Sequence, residues 1–267
     1  MARRSQLTLP GAIALALVAA ALLYFEEREE PGSSGSTAQK TQSQTEGKPV
    51  AQRETTARQR TSAEPAPGAF DYYALALSWS PTHCASEEGR RDSQQCAPRH
   101  GRPYGFILHG LWPQYTEGYP ESCPTPERPF VPNHVIEKMS DIMPSRGLVI
   151  HQFRKHGTCS GLSPGDYFDT ARRLFRSVRV PERFRNPAQA QFVSPRDVVD
   201  AFAAANPNLD PDMMAVVCAG PGNRFREIRI CFSKSGAPAR CGRNETQGRL
   251  CRTQRMHVPP VRLSRNN

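Results

Sequence analysis

Two short stretches of the chain carry side chains able to move protons. The first, Phe106-Ile107-Leu108-His109-Gly110-Leu111-Trp112-Pro113-Gln114, sets a histidine at the end of an apolar strand, with glycine behind it. Such a histidine sits where the chain turns into solvent, and Trp112, three residues on, offers a flat face. The second is His151-Gln152-Phe153-Arg154-Lys155-His156-Gly157-Thr158-Cys159. On a helix, at about 100° per residue, His151, Lys155, Gln152 and His156 fall within an arc of about 140°. Gly157 is then expected to end that helix, and Cys159 could pin it covalently. Each stretch also has a plainer reading: a strand-to-loop corner with a packed tryptophan and a satisfied histidine, and a solvated basic helix face.

Taken together, the residue types suit the cutting of RNA. A 2′-hydroxyl must lose a proton, a 5′-oxygen must gain one, and the phosphorane between them gathers negative charge. Imidazoles suit the base and acid roles, a lysine suits the charge, and an aromatic face suits an unstacked base. DNA lacks the 2′-hydroxyl and should be inert. A rival from another class is a metal-dependent hydrolase using His109, His151 and His156. It fits less well, because His151 and His156 are five apart rather than the four of zinc-binding helices, with no carboxylate between. Loss of activity in EDTA, restored by zinc, would favour it. His83, His100, His134 and His257 carry no motif and are read as surface or structural.

The elements that must position these residues are mixed. Tyr73, Leu75, Leu77 and Trp79 alternate with smaller residues as in a strand; Phe106-Ile107-Leu108 and Met214 to Cys218 are short strand candidates. From Phe225 to Phe232, Ile228, Ile230 and Phe232 share one face while Glu227 and Arg229 share the other. Ser163-Pro164 with Asp166, and Ser194-Pro195 with Asp197, open two helices with a cap, a first-turn proline and a carboxylate at the dipole. Phe168, Ala171, Phe175 and Val178 continue the first at helical spacing, and Asn206-Pro207 stops the second. Strands and helices without regular alternation imply an α+β fold.

Arg3 and Arg4, then an uncharged apolar run from Leu9 to Phe25, have the architecture of an export signal. Residues 1–25 are therefore expected to be a signal peptide or signal-anchor, and the apolar-poor stretch 26–69 a disordered linker. A single domain is expected over 70–263, with a tail at 264–267. The formal net charge of +10 favours polyanionic partners. Eight cysteines, all downstream of the export segment and with no C-x-x-C pair, point to disulfides in an oxidising compartment rather than a zinc ribbon.

The two proton-moving stretches resemble the paired active-site motifs of the ribonuclease T2 family. The first is similar to F-x-x-H-G-L-W-P throughout; the second is similar to H-E-W-x-K-H-G-T-C, with Gln152 in place of Glu and Phe153 in place of Trp. Phe70 to Pro81 resembles the family's opening strand, and Glu227 to Phe232 its late core strand. The resemblance implies an α+β domain, an antiparallel β-sheet core flanked by helices and stabilised by disulfides. It implies a monomeric endoribonuclease that needs no metal or cofactor, takes RNA as substrate and leaves DNA uncut. It is expected to be secreted or periplasmic, with residues 9–25 a potential anchor in the inner membrane.

By the same resemblance His109 donates a proton to the leaving 5′-oxygen and His156 is the base on the 2′-hydroxyl. His151 holds the phosphate, Lys155 stabilises the phosphorane, and Trp112 packs near the base-binding site. The implied disulfides are Cys84–Cys96, Cys123–Cys159, Cys218–Cys251 and Cys231–Cys241. Gln152 keeps a hydrogen-bonding amide but removes a charge that normally favours a protonated histidine, so an altered pH profile is expected. The rival on the same fold is a catalytically weakened RNA-binding or signalling protein, crippled at Gln152. Against it, His109, His156 and Lys155 are all present, and a single-turnover RNA cleavage assay discriminates the two.

Overall fold

The computed structural model describes residues 65–98, 101 and 103–262. The expected export segment 1–25, most of the expected linker 26–69 and the tail 264–267 lie outside the described residues. Among the described residues no helix is long and apolar enough to cross a membrane.

The alternation read from Tyr73 to Trp79 is strand β1 (Tyr72–Trp79), and it lies inside a six-stranded sheet. On one side it pairs antiparallel with β2 (Phe106–Gln114), on the other with β5 (Arg224–Ser233). β5 also pairs antiparallel with β4 (Met214–Ala219). β3 (Gln191–Val193) pairs antiparallel with β6 (Met256–Val258), which meets β5 in a single parallel contact between Arg224 and His257. The fold is α+β, antiparallel but for that one contact.

The two faces of β1 have different jobs because its side chains alternate. Tyr73, Leu75, Leu77 and Trp79 enter the main core, and each buried side chain of that size adds roughly 1.5–3 kcal/mol. Helix Pro164–Ser177 covers this core with Tyr167, Phe168, Ala171 and Leu174; its cap, Ser163, accepts from the Asp166 N–H at 3.2 Å. Helix Pro195–Ala205 adds Val198, Val199 and Phe202 behind a capping box of Ser194 and Asp197. The buried Tyr167 hydroxyl donates to the Leu111 carbonyl at 2.7 Å, tying the first helix to β2. The other face of β1 carries Tyr72, Ala74 and Ala76, a small cluster with Trp112 and Cys231.

Two local expectations are corrected. The strand opened by Phe106 does not end at His109 but runs on to Gln114. The β1–β2 register passes from Leu77–Leu108 to Ala76–Gly110, so His109 is the extra residue of a bulge and the ladder continues beyond it. Nor does Gly157 end the helix. Its φ is −60°, the chain stays helical through Ser160, and Gly161 at φ +74° supplies the left-handed stop. Glycine is required at 157 for another reason: a Cβ there would lie 2.4 Å from Cδ2 of Phe153.

Candidate active site

The site is built on the second face of β1, where Ala74 and Ala76 leave room above the sheet. Trp112 from β2 lies there, and its indole Nε1 donates to Gln152 Oε1 at 2.7 Å. Both partners are buried, so the bond satisfies two groups that would otherwise be desolvated without a partner. Gly110 makes this approach possible, because a Cβ there would stand 2.2 Å from Gln152 Oε1 and 2.3 Å from Trp112 Nε1. The bulge aims His109 to the same side, its ring centroid 5.2 Å from that of Trp112. The His156 ring lies 5.3 Å from the indole, and the Arg229 guanidinium stands 4.8 Å from its centroid.

The second motif starts on helix Arg146–Gln152 and passes into a π-helical turn, Phe153–Gly157, before a last turn at Thr158–Ser160. A π turn is uncommon and is found disproportionately at functional sites. Phe153 and Val149 anchor the segment in the main core. The loop before it is tied on twice: Ser122 N–H donates to the Lys155 carbonyl at 2.7 Å, and Cys123 is disulfide-bonded to Cys159. The other disulfides join Cys84 to Cys96, Cys218 to Cys251 and Cys231 to Cys241. Lys155 Nζ pairs with Glu121 at 3.2 Å, a half-exposed contact that a more highly charged anion could displace.

His156 is the most perturbed base here. It is 8% exposed, and its Nδ1 is buried without a hydrogen-bond partner. Burial pushes its pKa down to about 3, helped by the positive charges of Lys155, His109, His151 and Arg229. Burial and the surrounding charges therefore favour the neutral ring, which accepts a proton more readily once that positive charge is offset.

His109, Trp112, His151, Gln152, Lys155 and His156 all line one cavity of about 480 Å³. The structure thus brings together all six residues singled out in the sequence. A second cavity of about 490 Å³ shares His109 as a wall and is lined beyond it by Ser78, Thr82, His83, Leu148 and Arg226. His83, read as surface or structural, pairs with Asp92 at 3.3 Å there. Among the described residues no group of three or more His, Cys, Asp or Glu side chains is arranged to hold a metal ion.

Sequence reasoning missed the polar chain behind His109. Glu227, 2% exposed, bonds His109 Nδ1 at 2.8 Å and accepts from Arg229 Nε at 2.9 Å. Arg229 continues to Glu245 at 3.5 Å, whose other oxygen accepts from the Tyr72 hydroxyl. The signal was present as the polar alternation of Glu227 and Arg229, but a polar strand face reads by default as solvated, and this one is covered. Asn244 was also missed; its amide donates to Gln114 Oε1 at 2.9 Å and to the Gly118 carbonyl at 2.6 Å, fastening the rim of the cavity.

A family model described as the Ribonuclease T2 family matches residues 70–241. A ribonuclease of Aeromonas hydrophila is 40% identical over 195 residues, covering 68% of this chain and 80% of that protein. Ribonuclease I of Escherichia coli is 28% identical over 205 residues, covering 61% and 75%. The solved structure of trichomaglin, described as an S-like ribonuclease, superposes with a TM-score of 0.58 at 23% identity, covering 72% of this chain and 98% of that one.

Proposed function

Since this chain belongs to the ribonuclease T2 family, we propose that His109 and His156 are the two proton carriers of its RNA cleavage. In the first step the 2′-oxygen attacks the adjacent phosphorus as His156 removes its proton. The bond from phosphorus to the 5′-oxygen breaks as His109 supplies a proton to the leaving group. A 2′,3′-cyclic phosphate and a free 5′-hydroxyl result. In the second step water attacks the cyclic phosphate with the roles of the two histidines reversed, giving a 3′-phosphate. His151 holds the phosphate and Lys155 stabilises the phosphorane, a task usually worth about 100- to 1,000-fold in rate. No cofactor enters the scheme.

The observation that carries this reading is the convergence of His109 and His156, from β2 and from the π turn, on one indole and on one cavity. The low proton affinity of His156 keeps it in the base form at acid pH. An anionic phosphodiester bound beside it offsets the positive charges around it, so the base strengthens as substrate arrives. The cavities on either side of His109 are each of a size to take a nucleoside: the upstream one in the cavity that the buried Trp112 helps to wall, the leaving one beyond His109. Gln152 supports the position of Trp112 through its amide, so its lack of charge leaves the proton carriers in place.

The reading extends to a monomeric protein exported by residues 1–25, secreted or periplasmic, released or held at the inner membrane. Four disulfides suit such a compartment. The test is digestion of a homopolymer RNA with EDTA present. A 2′,3′-cyclic phosphate product, lost in His109→Ala and His156→Ala, is expected; activity abolished by the chelator, or retained in either variant, would overturn the assignment.

A further inference from the structure

Glu227 is a buried carboxylate to which the scheme above gives no task. Burying a charge is costly unless it is paired and hydrogen-bonded, and this one is held on both oxygens: Oε2 by His109 Nδ1 at 2.8 Å, Oε1 by Arg229 Nε at 2.9 Å. The pair is not a product of simple strand adjacency, because β1 lies between β2 and β5. It forms because β2 bulges at His109: the β1–β2 ladder passes from Leu77–Leu108 to Ala76–Gly110, while the β1–β5 ladder runs without a break to Ser78–Glu227 and sets Glu227 on the face it shares with Arg229. Between them β1 presents only Ala76 and Ser78, too small to obstruct the contact. A bulge in one strand and regular alternation in the other therefore bring one carboxylate to one imidazole nitrogen across β1.

We propose that Glu227 is a positioning residue for His109, fixing the proton on Nδ1 and turning Nε2 toward the scissile phosphate, with Arg229 locking the carboxylate in place. The proposal rests on His109 being a proton carrier. Burial alone pushes the Glu227 pKa up, but the His109 bond and the His109 and Arg229 charges overcome it and hold the acid down at about 2. An ionised carboxylate has no proton to give, so the shared hydrogen belongs to Nδ1. The same charge steadies the imidazolium that exists before His109 delivers its proton and after it takes one from water. Arg229 also lies over Trp112, so the orientation of the proton carrier and of the indole depend on one guanidinium. Glu245 and the Tyr72 hydroxyl complete its other side.

Three measurements decide the matter. In the wild-type protein, ¹⁵N NMR of the neutral His109 ring should show a protonated Nδ1 and a bare Nε2; the reverse tautomer overturns the proposal and requires no variant to fold. Glu227→Gln should lower kcat by about 100-fold, with KM within about threefold, since ground-state contacts to RNA are untouched. A double-mutant comparison separates positioning from folding: in a His109→Ala background, Glu227→Gln should remove less than about twofold further, because its effect passes through the missing ring. An equal loss in both backgrounds, or no loss in either, defeats the proposal. Wild-type activity in His109→Ala alone would instead bring down the underlying assignment, a distinguishable result.

Discussion

Replacing His156 with glutamine should change how the stability of the domain depends on pH. In the unfolded chain a histidine binds a proton with a pKa near 6.5, whereas in the fold His156 does so only at about 3. Between those values the unfolded state holds a proton that the folded state lacks, so stability falls as pH drops below about 6.5 and levels off near 3. Above that window the contribution is absent. At about 1.4 kcal/mol per pH unit the loss reaches roughly 3 kcal/mol by pH 4. Against a native stability of about 5–15 kcal/mol that is a large fraction. Glutamine keeps a polar side chain of similar reach but does not titrate, so the variant should lack this slope. Urea unfolding at pH 7, 6, 5 and 4, with disulfides intact, gives the difference curve directly. A constant offset from the orphaned Nδ1 is immaterial, since only the slope matters. The variant should gain on the wild type by about 3 kcal/mol between pH 7 and 4; a flat difference would mean that the buried ring is already protonated or is solvated, and the argument for its base form would fail.

Three further outcomes are expected. Gly110→Ala drives a methyl into Gln152 and Trp112, and should destabilise by about 1–3 kcal/mol in thermal unfolding while lowering kcat; unchanged values would mean that the Trp112–Gln152 contact is not formed. Gln152→Glu keeps an acceptor for the indole and adds a buried negative charge, so the acid limb of kcat/KM should move to higher pH by about one unit. Limbs that stay still would show that residue 152 does not act on the proton carriers. Removing Cys123–Cys159 with a double serine variant opens a link between residues 36 apart and should lose about 4 kcal/mol in urea unfolding. RNA cleavage should fall with it, because the loop that grips the Lys155 carbonyl is released.

Much of the site was legible because its chemistry is local. His151, Gln152, Lys155 and His156 sit within one turn and a half of helix, so spacing alone puts them on one surface. The capped helices at Ser163 and Ser194 were equally plain, each announced by a cap, a proline and an acidic first turn. What escaped was set by tertiary packing. The bulge at His109 depends on its register against β1, which no local pattern encodes. Gly157 looked like a helix stop because glycine commonly is one. Here the Phe153 ring demands the missing Cβ, and Gly161 does the stopping. Glu227 was hidden for the opposite reason: a carboxylate in strand alternation is ordinarily solvent-facing, and only the assembled sheet reveals that His109 and Arg229 close over it.

The central claim is that the RNA supplies its own nucleophile to a pair of histidines. It is tested most directly with a DNA oligonucleotide carrying a single ribonucleotide, incubated with the protein in EDTA. Cleavage only on the 3′ side of that ribose, leaving a 2′,3′-cyclic phosphate on one fragment and a 5′-hydroxyl on the other, is the predicted result. Cuts at deoxyribose positions, or fragments bearing a 5′-phosphate, would contradict it.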